Sequence, residues 1–305
     1  MPSFTRALAV SICVVAAHAC AHGTAGPAAA PVAAEHPRGT LFIVGGGAQP
    51  PALVKDFVDL AGGPHARIAV VPMASEDSTS GPEKADDLRK LGAQVFVLDI
   101  DRRQAGMDSV ARLIDSVTRV WFVGGDQLRL AKVLRETPVL RAMQARYAAG
   151  AVIGGTSAGA AVMSDSMITG NQRRPEADSV GYYGDEYPNI TRGAIQIVPG
   201  LGFLHGVIVD MHFIRRERAN RLLAAVLERP SLLGIGIDEG TAVRVDPDGR
   251  WTVLGRSAAI ILDARDARLV SSTAPRLGAT GVHLSLLPAG STYDPHTGRA
   301  TLPAP

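Results

Sequence analysis

From Gly39 onward the chain alternates between short runs of consecutive apolar residues and longer segments with apolar residues at helical spacing. Thr40-Leu41-Phe42-Ile43-Val44, Arg67 to Pro72, Gln94 to Asp99, Val120 to Val123 and Ala151 to Ile153 are runs of the first kind. An unbroken β-branched run predicts a strand buried on both faces, because a strand with one wet side would alternate. Pro51 to Ala61, Pro82 to Leu91 and the long stretch from Asp126 to Tyr147 carry the helical spacing. Strands that alternate with helices in this way predict a parallel sheet covered on both faces. The chemistry of such a sheet collects just beyond the carboxyl ends of its strands. Glycines stand at those ends (Gly45, Gly124, Gly154), where backbone must turn tightly or approach a ligand.

After Ser157 the pattern loosens. Ser164 to Val198 has little periodicity and reads as a long loop or lid near the site. Order returns with a strand signal in Gly206 to Phe213, then a helix from about Ile214 to Glu228. Leu233 to Val245 and Trp251 to Leu262 read as further strands, and no helical signal follows Asp263. With no repeat and no boundary signal, residues 39–305 read as one α/β domain.

Composition narrows this only a little. Of 305 residues, 46% are hydrophobic and 5% aromatic, so the core is built mostly from aliphatic side chains. A net charge of +2 is too small for a nucleic-acid binder, whose basic residues would be in large excess. The amino terminus changes the picture more. Arg6, an apolar run from Ala7 to Ala17, and Ala17-His18-Ala19 form the three parts of a secretory signal. Residues 1–19 therefore read as a signal peptide, and the Ala-, Pro- and Gly-rich stretch 20–38 as a flexible leader. The expected destination is periplasmic or extracellular. A lipid anchor on Cys20 is the less favoured alternative, because Ala17 stands where a lipoprotein signal usually has Leu. With Cys13 removed in the signal, the mature chain has no internal disulfide.

Gly155-Thr156-Ser157-Ala158-Gly159 fits the G-x-S-x-G form of a nucleophile elbow, with a strand signal before it and a small apolar helix start after it. Such a serine needs its hydroxyl exposed on a strained turn, and small flanking residues avoid clashes there. Standing alone, the motif could be a Gly-rich turn with an incidental serine; its context favours a nucleophile. The Ala158 amide is one expected oxyanion donor, and Gly124-Gly125 is the best source of a second, assigned to Gly125. A serine also needs a base. Among the histidines, His212 ends a buried-strand pattern, where a base should be, although a lone core histidine fits the same pattern. Asp238-Glu239 ends another apolar run and offers the orienting acid; local pattern does not choose between the two. Asp210, Arg215, Arg216, Arg218 and Arg221 surround His212. They read either as a solvated helix face or as a clamp for a substrate carboxylate. No metal-ligand spacing appears, and Gly45-Gly46-Gly47 lacks the rest of a dinucleotide fingerprint, so no cofactor is expected.

Taken together, Ile43 to Gly47, Phe122 to Gln127, Gly155 to Ala160, Asp210 to Phe213 with the arginines after it, and Gly236 to Ala242 resemble the cyanophycinase and aspartyl dipeptidase family of serine peptidases. The motifs occur in that family's order and span nearly the whole chain after Gly39. The resemblance implies a flavodoxin-like three-layer sandwich of the class I glutamine amidotransferase type, with a mainly parallel sheet. It implies Ser157 as nucleophile, His212 as general base and Glu239, rather than Asp238, as the third member. It also implies that Gln127, Asp210, Arg216, Arg218 and Arg221 shape the substrate pocket. Met211 stands where cyanophycinases typically carry Gln. The expected partner is a peptide with aspartyl linkages, cyanophycin being one, with no nucleic acid; the reading leaves room for a homodimer. Two other functions remain open. One is an exported peptide-binding protein without turnover. The other is an α/β-hydrolase type esterase or amidase, whose base would be His283 or His296.

Overall fold

A computed structural model describes residues 37–60, 62–172 and 190–304, which fall within one compact unit, His36–Pro305. The expected signal and leader lie outside the described residues.

The first half of the chain builds a parallel sheet with helices between its strands. In chain order it runs β1 (Thr40–Val44), α1 (Pro51–Asp59), β2 (Arg67–Val71), α2 (Ser80–Lys90), β3 (Gln94–Val97), α3 (Arg102–Ala105), α4 (Asp108–Ala111) and β4 (Arg119–Phe122). There follow α5 (Gln127–Leu134), α6 (Pro138–Ala148), β5 (Val152–Thr156) and α7 (Ala158–Ala161). Then come β6 (Ser166–Gln172), β7 (Ile195–Pro199), β8 (Val207–Met211), α8 (Ala219–Glu228), β9 (Leu233–Ile237), β10 (Thr241–Val245), β11 (Trp251–Gly255) and β12 (Ala258–Asp263). Short strands close the chain: β13 (Arg268–Leu269), β14 (Ala279–Thr280), β15 (His283–Pro288), β16 (Thr292–Asp294) and β17 (Arg299–Thr301).

The main sheet has the order β17-β16-β11-β10-β1-β5-β4-β2-β3. Strands β1, β5, β4, β2 and β3 are mutually parallel, and β10 extends the sheet antiparallel to β1. Alternate residues of the parallel strands serve opposite faces. Phe42, Val44, Ile68, Val70, Trp121 and Val152 pack with Leu53, Phe57 and Val58 of α1 and Ala85 and Leu88 of α2. Leu41, Ile43, Ala69, Val71, Phe122 and Ile153 pack on the other side with α5, α6, α7 and the strands β8 and β9. A second sheet, β15-β12-β9-β8, is covered by α8 through Ile208, Leu222, Val226 and Leu262. The expected sandwich with its mainly parallel sheet is present.

Local chemistry explains where the elements depart from the periodicity. The stretch Asp126 to Tyr147 is two helices, because Glu136 takes a positive φ of 60° and Thr137-Pro138 starts a new helix. The Thr137 hydroxyl accepts the Leu140 amide at 3.2 Å, and Pro138 at the first helical position gives up no needed hydrogen bond. Helix α8 begins at Ala219 rather than near Ile214, since the intervening residues form a turn closed by Arg218 N–H to the Phe213 carbonyl (3.0 Å). Leu233 to Val245 is likewise two strands, β9 and β10, which belong to different sheets. The expected loop after Ser164 begins and ends in the antiparallel pair β6 and β7, and residues 173–189 lie outside the described residues. One buried side chain joins layers: Arg119 at the head of β4 donates to the Phe57 carbonyl (2.9 Å) and to that of Val58, capping α1. Burial lowers its pKa to about 10.

Candidate active site

The adjacent strands β1, β5 and β4 all end at the same edge, each running into glycine-rich backbone at Gly45-Gly46-Gly47, Ser157 to Gly159 and Gly124-Gly125. At the end of β5 the chain turns sharply at Ser157, with φ 54° and ψ −118°, and passes into α7. A non-glycine residue in that region costs about 1–3 kcal/mol and persists only where its surroundings hold it. Here the Ser157 amide donates to the Val44 carbonyl of β1 at 3.0 Å. The turn also folds α7 back onto its own strand, so closely that a side chain on Gly155 would meet the Gly159 carbonyl.

His212 follows β8 in the same way, with φ 52°. Its amide donates to the Gly45 carbonyl at 2.7 Å. Consecutive carbonyls at the end of β1 therefore accept from Ser157 and from His212, and one strand end sets the spacing of the two. The His212 Nε2 lies 2.8 Å from Ser157 Oγ, and its Nδ1 lies 2.7 Å from Glu239 Oε1. The loop after β1 is the floor of this arrangement. A Cβ on Gly46 would collide with the imidazole, and one on Gly47 would stand 2.6 Å from Glu239 Oε2.

The two neighbouring carboxylates divide their work. Glu239 reaches the imidazole. Asp238 accepts the amides of Ile214 (3.2 Å) and Arg215 (2.9 Å) and the Ser257 hydroxyl (2.8 Å), pinning the turn that follows His212. Burial opposes the charge of Asp238, but these donors outweigh it and hold the carboxyl below its ordinary pKa. For His212, burial is the largest influence and lowers the pKa; Arg216 and Arg218 push the same way, and the bond to Glu239 opposes them in part. The ring is thus neutral at neutral pH. With Nδ1–H donated to Glu239, Nε2 is left to accept the Ser157 hydroxyl proton.

Gly124 packs against Ser157, and a Cβ there would be 3.3 Å from that of the serine. Gly125 has φ 137°, and the loop is tied down by the Asp126 amide on the Ala74 carbonyl at 2.9 Å. Ala158 follows Ser157 directly and Gly125 follows Gly124, and neither amide donates to a backbone acceptor among the described residues.

The expected pocket residues fall into different surroundings. Gln127 is buried at the start of α5 and donates to the Ile168 carbonyl at 2.7 Å. Asp210 is wholly buried and is gripped in bidentate fashion by Arg221, whose Nε is 2.9 Å from Oδ2. Arg218 donates to the Met211 carbonyl at 2.9 Å and touches its sulfur at 3.2 Å. Arg216 is exposed, with its amide on the His212 carbonyl at 2.9 Å. His283 and His296 line a separate pocket with Asp263 and Arg265, and the imidazole that meets Ser157 is that of His212. Among the described residues no three His, Cys, Asp or Glu side chains gather where they could hold a metal ion.

With this geometry in hand, comparison with known proteins is decisive: residues 41–252 match the model of peptidase family S51. The chain belongs to that family. Family S51 makes it a serine-type peptidase. It is 35% identical over 279 residues to a cyanophycinase of Trichormus variabilis, covering 87% of this chain and 88% of the relative. It is also 35% identical over 235 residues to a cyanophycinase of Geminocystis herdmanii, covering 75% and 82%. A solved peptidase from an acI-B1 actinobacterium shares the fold, with a TM-score of 0.62 at 23% identity over 85% of this chain and 98% of that one.

Sequence reasoning missed two contributions. Gly46 and Gly47 are needed for the room they leave to His212 and Glu239, and their signal was a glycine run directly after a strand. Asp238 holds a turn more than 20 residues away in sequence, which no local pattern announces.

Proposed function

We propose that this family S51 protein is an exported serine peptidase that hydrolyses aspartyl or β-aspartyl linkages through an acyl-enzyme. The observation that carries the reading is the continuous line of hydrogen bonds Glu239–His212–Ser157 at the carboxyl edge of the sheet. In this reading His212 takes the Ser157 proton as the hydroxyl attacks the scissile carbonyl, and the Gly125 and Ala158 amides hold the oxyanion. His212 then passes the proton to the leaving amine, and water resolves the acyl-enzyme by the same route. Glu239 holds the tautomer and stabilises the imidazolium that forms.

Relatives named cyanophycinases support an aspartyl-rich substrate such as cyanophycin. Arg216, exposed beside His212, is the residue of the arginine cluster best disposed to meet a substrate carboxylate, whereas Asp210, Arg218 and Arg221 shape the wall behind it. The signal-like first 19 residues support export. The test is product analysis on cyanophycin and on α- and β-aspartyl dipeptides, with Ser157→Ala alongside. Hydrolysis should fall by several orders of magnitude in that variant, and a fluorophosphonate should label the wild type only. Activity surviving in Ser157→Ala would sink the assignment. Tight peptide binding by a wild type that takes no label would point to a binding protein.

A further inference from the structure

Behind the glycine loop that floors the site lies a cation for which the proposed chemistry has no use. Lys84 projects from α2 so that its ammonium group donates to Gln49 Oε1 at 2.8 Å and sits over the Trp121 ring, 4.2 Å from its centroid. Its neighbours from the packed elements are the amide of Gln49 on the loop after β1 and the indole of Trp121 on β4, neither of them titratable. The carboxylate whose field reaches it is Asp87, one turn along α2, and that group bonds Lys90 at 2.9 Å. Among the described residues Lys84 forms no ion pair with a carboxylate. Burial accordingly lowers its pKa to about 8. An ammonium group is seldom kept in such a place for stability alone, because desolvation works against it and a neutral side chain would pack as well.

What it holds is informative. Gln49 closes the segment Gly45–Gln49, and that segment carries the contacts that position the imidazole and its acid. The Gly45 carbonyl accepts the His212 amide (2.7 Å), and the Gly46 carbonyl accepts the Gly240 amide next to Glu239 (2.9 Å). Gly46 lies against the His212 ring and Gly47 against the Glu239 carboxylate. Among the described residues the backbone bonds of this segment end at Gly46, and glycine imposes little conformation of its own, so the Gly47–Gln49 end depends on side-chain contacts. We infer that Lys84, through Gln49, is a positioning residue for His212 and Glu239: it clamps the glycine loop from the α2 side of the sheet and so sets the geometry of the proton relay.

The inference rests on the serine-peptidase reading, and the experiment separates the two. Wild type, Lys84→Met and Gln49→Glu are compared for the rate of fluorophosphonate labelling, for kcat and KM on an aspartyl dipeptide that the wild type cleaves, and for their pH profiles. Methionine keeps the stem packed over Trp121 and removes the donor. Lys84→Met is expected to lower kcat and the labelling rate together by roughly tenfold to a hundredfold, the scale of a small misplacement of reacting groups, with KM little changed. Gln49→Glu keeps an acceptor for the ammonium group and supplies the missing counter-ion; it is expected to move any alkaline fall in kcat, near pH 8 in the wild type, to higher pH. Unchanged kcat and labelling in a folded Lys84→Met protein would overturn the inference and leave the peptidase reading intact. A rise in KM alone would overturn it too, by making Lys84 a substrate contact. A wild type that takes no label at Ser157 would overturn both.

Discussion

Two strands of this protein run into a residue of positive φ, Ser157 (54°) and His212 (52°), yet the two are held in different ways. The Ser157 kink is built from its own neighbourhood: glycines on either side permit the fold-back, and small apolar residues let α7 pack at once. The His212 kink is held from far away. Both amides are accepted at the end of β1, but Asp238 also pins the turn after His212, and the buried Asp210–Arg221 pair braces the strand before it. Strain at a working residue can thus be supported by local permissiveness or by distant bonds. Only the first leaves a compact mark in the sequence.

Changes in the distant support should separate chemistry from scaffolding. The largest effect is expected from Glu239→Gln, which keeps the shape but offers Nδ1 the wrong partner. The kcat should fall by about 10⁴-fold, as when the orienting acid of a triad is amidated, with the melting curve little altered. A loss below tenfold would remove Glu239 from the relay. Next comes Arg221→Ala, which takes from the buried Asp210 its bidentate partner and leaves only Arg218, 3.8 Å away. Denaturant unfolding should report a loss of about 3–5 kcal/mol, the usual consequence of halving a buried ion pair. An unchanged midpoint would mean that the His212 kink does not depend on that brace.

The smallest effect concerns the acid limb of the pH profile. The pKa of His212 is depressed, chiefly by burial and then by Arg216 and Arg218 against the pull of Glu239. Activity that needs the neutral ring should therefore be retained as pH falls through 6.5 and be lost at a lower pH. Arg216→Gln removes one of the lowering charges, so the acid midpoint should move up by a fraction of a pH unit. A midpoint that moves down, or stays put at low salt, would show that the Arg216 charge does not act on the ring. The same burial means that protonating His212 destabilises the fold, so the stability it contributes is present above its unfolded pKa and fades as pH falls through the folded one.

Much of the fold was legible. Continuous apolar runs require a sheet covered on both faces, and β1 to β5 appear where those runs lie. Boundaries set by a single residue were harder. Thr137-Pro138 splits one periodic stretch into two helices, since a capping hydroxyl and a missing N–H outweigh an apolar pattern that continues across them. The spacing predicts a helix from about Ile214, but residues 214–218 form a turn, and the bonds to Asp238 hold residues 214 and 215 there. In the candidate site, Ser157 could be named from five residues. His212 and the choice between Asp238 and Glu239 could not, because each depends on which way one side chain faces across a gap between two sheets.

By itself, then, the sequence determined the layered α/β architecture, the kinked serine at the end of β5 and the glycine-rich strand ends around it. These follow from periodicity and from conformations that only certain residues adopt, and both are local properties. Tertiary structure decided that the consecutive carbonyls of Val44 and Gly45 receive Ser157 and His212, that Asp238 takes the backbone while Glu239 takes the imidazole, as the family resemblance implied, and that Asp210 and Arg221 close on each other. Each of these joins residues brought together only by folding. Hydrogen-bond geometry acts over a few ångströms of space and is indifferent to distance along the chain.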